Sequence, residues 1–514
     1  MIYKFAIFLA LISSLIFNDY NSSFGALGLF TAMCLASFKV NYLEKKHIIA
    51  IALFVISFLY SQIPSQSLEQ SLLYLTAALG PAVFFIKDSC KQKLLKALSI
   101  LMFGLAIYQY FNFDFGFGTY MNIFDTTQIY PNSLASLMLL ITPFIQGPLV
   151  VLNIVTIFLS KSRIALALIL AFMAAKFCFA KSFKSQSKKY LLLIGVVSML
   201  GIAMLSSVFS NNYQHKLQQG QGISSATHRL EFFANTPKLF DLKQSLVGTG
   251  AESFKYLYPQ VQTIPLNKSM HAHNLLLDIG LEHGFLILAV CIYIFWGYLS
   301  QLPRSTVLAL VPFALHNMLD LNINFGLSIF ILAILISQNA PDSKAKLNNI
   351  QKTATVLLTT IAVLSLIIIR YPQYASSSLV AHKDYLVQEG KLSQHMQQNP
   401  IDTPVLYALA QGTQDPVLSL KVFKQDPWTL EHLELVLKLN PNIQIEALEI
   451  DSQWLNNYKA WYLRHLQYNT DYINYKSSYQ TLENIFSNTQ LKDLEYLEQI
   501  KQAHAEFLKN YPQQ

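Results

Sequence analysis

Repeated apolar runs of about 15 to 20 residues fill the first 370 residues of this 514-residue chain, and nothing else in the sequence limits its fold as much. Inside a bilayer, runs of that length can satisfy their own backbone groups only as helices, which selects an all-α, polytopic transmembrane bundle. A composition of 53% hydrophobic and 13% charged residues agrees with this. Spans are predicted near 3–18, 24–41, 47–62, 70–86, 94–111, 132–146, 149–160, 162–180, 190–209, 272–298, 303–318, 323–338 and 353–370. No small-x-small cleavage site follows Met1–Phe17, so the first span is read as uncleaved.

Basic and uncharged connectors alternate along these spans. Lys39, Lys45 and Lys46, then Lys87, Lys91, Lys93 and Lys96, then Lys181, Lys184, Lys188 and Lys189, then Lys344, Lys346 and Lys352 mark one side, and the loops near 19–23, 63–69, 112–131 and 319–322 contain no Lys or Arg. The positive-inside rule then puts the N-terminus in the cytoplasm and the 210–271 loop and everything after Arg370 outside. Pro143, Gly147 and Pro148 interrupt the 132–160 block; two short spans with a turn at Gly147-Pro148 keep the KSFKSQSKK connector inside, whereas one span would expose it.

Four divisions follow: N-terminal transmembrane helices in 1–209, a large periplasmic loop in 210–271, C-terminal transmembrane helices in 272–370 and a periplasmic helical domain in 371–514. That last stretch carries 11 Lys plus Arg against 16 Asp plus Glu, a net −5 that leaves +13 for the rest. Basic charge on membrane loops rather than on a soluble surface argues against nucleic-acid binding. Asn399-Pro400, Asp415-Pro416, Asp426-Pro427 and Asn440-Pro441 punctuate amphipathic runs and predict short helical hairpins, compatible with a tetratricopeptide-like stack, with Trp428, Trp454 and Trp461 as core residues. Cys34, Cys178 and Cys291 sit in apolar runs and Cys90 in a Lys-rich segment, so no disulfide is predicted.

The chemistry-bearing stretch is KSMHAHNLLLDIGLEHG, Lys268 to Gly284, where a polar loop meets an apolar helix. With Ser269 as cap, a helix from about His271 would offer free N–H groups to an anion. Residues two apart on a helix diverge, so His271 and His273 cannot both address one site; His271, Asn274 and Asp278 share one stripe, and His273 shares the other with Gly280. A metal site would need a third ligand beyond the His-x-His pair, and none stands at the usual spacing, so no metal is predicted. Only five Arg occur against 32 Lys. Arg163 and Arg229 fall on the outer side, where a planar guanidinium suits a pyrophosphate, although interfacial snorkelling explains them equally well.

Several segments, in order, resemble the O-antigen ligase and polymerase superfamily, most closely the bacterial protein O-oligosaccharyltransferases. KSMHAHNLLLDIGLEHG is similar to its His-x-His-Asn segment, LSKSRIALAL to its Ser-x-Ser-Arg motif, IYPNSLAS to its Pro-Asn-x-Leu-Ala entry, and THRLEFFANTPKLF with LVGTGAESF to its periplasmic Arg and Gly-x-Gly loop. The resemblance covers roughly 100 to 370. It implies a bacterial inner-membrane enzyme that transfers a glycan from polyprenyl pyrophosphate without a cofactor or metal, with His273 catalytic and Arg163 and Arg229 on the donor pyrophosphate.

His271, Asn274, His316 and Asp320 are implied as supporting residues. His316 and Asp320 resemble the late His…Glu pair of the protein-glycosylating branch, with Asp in place of Glu and without the Pro expected after it. The thirteenth span and the outer tail favour a pilin-like protein acceptor modified on Ser or Thr. The alternatives are transfer to lipid A-core or to a growing O-antigen, and a non-enzymatic flippase, which the scarcity of mid-span charges disfavours.

Overall fold

A computed structural model describes residues 2–16, 23–37, 45–84, 86–112, 121–122, 128–129, 131–160, 162–178, 225–262, 269–320, 326–337, 390 and 392–443, with a few isolated positions from 448 to 509. The predicted spans 190–209 and 353–370, the KSFKSQSKK connector, Lys344, Lys346, Lys352, Trp454 and Trp461 lie outside the described residues. The described residues are helical, apart from a two-residue antiparallel pair in which Met121 faces Ile129. They divide into two compact units, one drawn from Met1–His215, Leu242–Glu252 and His271–Tyr371, the other from Lys216–Asp241, Ser253–Met270 and Pro372–Gln514.

In the first unit, α1 (Ile2–Ile16) pairs with α2 (Ser23–Ser37), and α3 (Lys45–Leu59) with α4 (Pro64–Val83). There follow α5 (Asp88–Asn112), α6 (Pro131–Ile141), α7 (Pro148–Leu159) and α8 (Arg163–Cys178). The 132–160 block is two helices: Pro143 sits in a single 3-10 turn, and Gly147 at φ 73 breaks the chain before Pro148 opens α7. Whereas α9 (Ser225–Asn235) and α11 (Phe254–Leu257) belong to the second unit, the first continues with α10 (Leu242–Val247), α12 (Leu275–Glu282), α13 (Phe285–Leu299), α14 (Arg304–Leu319) and α15 (Gly326–Ile336). In α15 every residue from Leu327 to Ile336 is buried; a helix apolar all round needs neighbours on every side, and it packs on α1, α2, α4 and α6.

Among the described residues no helix is long and apolar enough to cross a membrane. Most of the apolar helices have 15 or 16 residues, about 22 to 24 Å at 1.5 Å per residue. The two longer ones, α4 and α5, open on polar turns, PSQSLEQS and DSCKQK. The predicted 272–298 span is two helices: α12 stops at Glu282 with His283 as C-cap, and Gly284, at φ 88, is the N-cap of α13.

The Gly-x-Gly segment explains that break. Thr249 N–H donates to the Leu281 carbonyl at 2.9 Å and Gly250 N–H to the Glu282 carbonyl at 2.8 Å, while the Thr249 carbonyl accepts from Gln62 N–H at 2.9 Å. Ser67 Oγ donates to the Ala251 carbonyl at 2.9 Å. Gly248, at φ 83, lies so close that a Cβ would run into the Glu282 carbonyl, and a Cβ on Gly284 would meet that of Leu246. The turn therefore ties the C-terminal end of α12 to the link between α3 and α4.

In the second unit, α16 (Leu392–Gln398), α17 (Thr403–Thr413), α18 (Pro416–Gln425) and α19 (Leu430–Leu439) pack as successive neighbours. The Asp-Pro pairs act as stops and starts: Asp415 Oδ1 accepts from Val417 and Leu418 N–H at 2.8 and 3.1 Å, and Pro416 occupies the first turn. Met396, Val405, Leu406, Ala410, Val422 and Leu435 form the core between these helices, and Trp428 is buried.

Gly248→Ala is expected to cost at least about 2 kcal/mol, through positive-φ strain and the clash with Glu282. Gly412→Ala, which meets open space inside α17, is expected to be neutral or stabilising by up to ~1 kcal/mol. Thermal unfolding followed by tryptophan fluorescence distinguishes them.

Candidate active site

Three helix ends of the first unit meet around one carboxylate. Asp320 follows α14 as its C-cap in extended conformation, at φ −162 and ψ 123, and is buried. His273 Nδ1 donates to Asp320 Oδ1 at 2.7 Å, and Asn132 Nδ2, from the first turn of α6, donates to Oδ2 at 2.6 Å. The third end is that of α12, which starts just after His273. A carboxylate only accepts, so the Nδ1 proton is held on His273 and Nε2 is left as the acceptor. With 25% of its side chain exposed against 3% for Asp320, His273 is the member that can meet a substrate.

The local chain explains why His273 points there. Its φ is 54, in the left-handed region that non-glycine residues rarely adopt, so the helix cannot include it. Asn274 is the helix cap in place of the expected Ser269: its Oδ1 accepts from Leu276 and Leu277 N–H at 3.0 and 3.2 Å, and its Nδ2 donates to the Met318 carbonyl at 3.0 Å. The helix thus starts four residues later than the sequence reading. Asparagine outranks serine here because one side chain satisfies two amides and also grips the last turn of α14.

His271 turns the other way, into a buried cluster with Asp278 and Glu282 whose ligand atoms lie within 4.8 Å of one another. Asp278 Oδ1 reaches back to accept from Ala272 N–H at 2.8 Å. The shared stripe of His271, Asn274 and Asp278 gives way to this arrangement, and a third and a fourth potential ligand, Asp278 and Glu282, stand beside the first histidine.

His316, fully buried one turn before Asp320, places Nε2 3.4 Å from Ser162 Oγ, and Asp320 N–H donates to the His316 carbonyl at 2.8 Å. Arg163, half-buried, opens α8 immediately after Ser162. Arg163, His273, Asn274, His316 and Asp320 therefore belong to one convergence of α6, α8, α12 and α14, all of which pack on α14. Arg229 belongs to the second unit, half-buried on α9, beside Glu231 and Phe232; the Phe232 ring packs on Phe254 and Tyr258.

Residues 148–292 match a family model described as O-antigen ligase. The matched stretch holds Arg163, Arg229, His271, His273 and Asn274, and supports the O-antigen ligase/polymerase superfamily. No curated protein matches the chain. Asn132, His316 and Asp320 fall outside the matched stretch, so their place in the site rests on geometry.

Asn274→Ala removes a cap that satisfies two amides and a link to α14. It is expected to cost about 1–2 kcal/mol, seen as a lower thermal midpoint, with Asn274→Asp recovering the cap and not the Met318 bond.

Proposed function

We propose that this chain is an inner-membrane glycosyltransferase that moves a glycan from polyprenyl pyrophosphate to Ser or Thr of a periplasmic protein such as a pilin. The observation that carries this reading is the Asn132–Asp320–His273 chain of hydrogen bonds at a partly exposed imidazole, His273 lying within the stretch that matches the O-antigen ligase model.

His273 Nε2 takes the proton of the acceptor hydroxyl while that oxygen attacks the anomeric carbon and the bond to the pyrophosphate oxygen breaks. Asp320 holds the imidazole in the required tautomer and offsets the positive charge it gains. Arg163 receives negative charge on the departing pyrophosphate, which a guanidinium does with paired N–H donors. A single displacement inverts the anomeric centre. No step calls for a metal at the reacting atoms.

Apolar side chains left exposed along helix faces support the membrane placement. Leu308, Val311, Leu315 and Leu319 line one face of α14, Val151, Val155 and Phe158 one face of α7, and Ile48, Val55, Ile56 and Leu59 much of α3. Stripes of this size fit contact with lipid rather than water. The capped helical hairpins of the second unit supply a surface for a protein acceptor and favour that branch. The match to O-antigen ligase favours a second reading, transfer to lipid A-core or to growing O-antigen.

Co-expression with a lipid-linked glycan and a pilin, following pilin mass and the lipopolysaccharide ladder together, separates the readings. A pilin mass shift is expected, falling by about 10²-fold or more in His273→Ala and by about 10²- to 10⁴-fold in Asp320→Asn. A changed ladder with unmodified pilin selects the second reading, and full transfer by both variants would sink the proposed site.

A further inference from the structure

A second cluster lies immediately behind the His273 loop, and the proposed transfer does not use it. His271, Asp278 and Glu282 are 4%, 0% and 0% exposed, and their ligand atoms fall within 4.8 Å of one another. Asp278 and Glu282 are one turn apart on α12, so their carboxylates share a face, and His271 comes to them from the preceding loop. Asp278 uses Oδ1 for the Ala272 N–H, whereas Oδ2, buried in the same place, meets no hydrogen-bond donor among the described residues.

Buried carboxylate oxygens are normally paired, and Asp278 Oδ2 departs from that rule where a second carboxylate and an imidazole stand within reach. One imidazole and two carboxylates form a donor set suited to zinc or a similar first-row ion. Magnesium and calcium prefer shells built mainly of oxygen and larger in number, which three buried side chains do not supply. Water commonly takes the fourth place when a protein offers three ligands.

We propose that His271, Asp278 and Glu282 bind one divalent transition-metal ion of the zinc type, and that this ion clamps the loop carrying His273. The link is short: Asp278 holds the amide of Ala272, the residue between the two histidines, and the left-handed His273 follows it directly. An ion on Asp278 and His271 fixes both sides of that amide. It touches no reacting atom, and the inference stands apart from the glycan-transfer reading because its test reads metal and stability.

The full-length protein, purified without an immobilised-metal step, is assayed for metal content by mass spectrometry and for thermal midpoint before and after chelation, then after adding back zinc, manganese or magnesium. About one equivalent of transition metal is expected, with a midpoint that falls on chelation and returns with zinc but not magnesium. Asp278→Asn and Glu282→Gln should each lose the metal and the sensitivity to chelator. Wild-type protein that holds no metal after zinc reloading and shows no zinc-dependent shift overturns the proposal, and that arm does not depend on either variant folding. Metal and chelator sensitivity unchanged in both variants also overturn it. So does a variant more stable than the wild type reloaded with zinc, which would mark the cluster as a proton-sharing network.

Discussion

The whole site hangs on an eight-residue helix that cannot stand on its own. A segment as short as α12 is unstable in isolation, since helix nucleation costs more than two turns return, and here it is fixed at both ends instead. Asn274 closes its N-terminal end and reaches α14; the Gly248–Gly250 turn donates to the Leu281 and Glu282 carbonyls at its C-terminal end. His273 lies one residue before the first of these anchors. Its position is set by the frame of α3, α4 and α14 rather than by its own neighbours, which is how a residue at positive φ is held in place.

Much of this was legible from residue types. The break at Gly147-Pro148 and the Asp-Pro helix boundaries of the second unit follow from local rules about proline, glycine and caps, and the structure agrees with each. The start of α12 was misplaced because Ser269 and Asn274 are both good caps, and the choice depends on the Met318 carbonyl, which a one-dimensional reading does not contain. The 272–298 run read as one helix because its apolar pattern is unbroken; only the close approach of Gly248 to Glu282 shows why Gly284 must turn the chain.

Long-range pairing was the least legible part. Asn132 and Asp320 are 188 residues apart and His273 and Asp320 are 47 apart, yet one carboxylate holds both. The Pro-Asn-x-Leu-Ala segment entered the sequence reading only as part of the resemblance, with no role for Asn132. The ligand set around His271 escaped for a different reason: the stripe assumed a helix through His271, whereas the extended loop brings that ring onto Asp278 and Glu282 from outside the helix.

The substitution of Asp for the Glu of the resembled protein-glycosylating branch has a geometric reading. Asp320 sits beyond the last turn of α14 on extended backbone, where the chain itself has already advanced toward α6 and α12. The shorter side chain then has one torsion fewer to fix, and its two oxygens are spoken for at 2.7 and 2.6 Å. A longer carboxylate from the same position would have to fold back to make both bonds, at a cost in side-chain entropy. Asp320 thus stands where a short carboxylate accepts from His273 and Asn132 together.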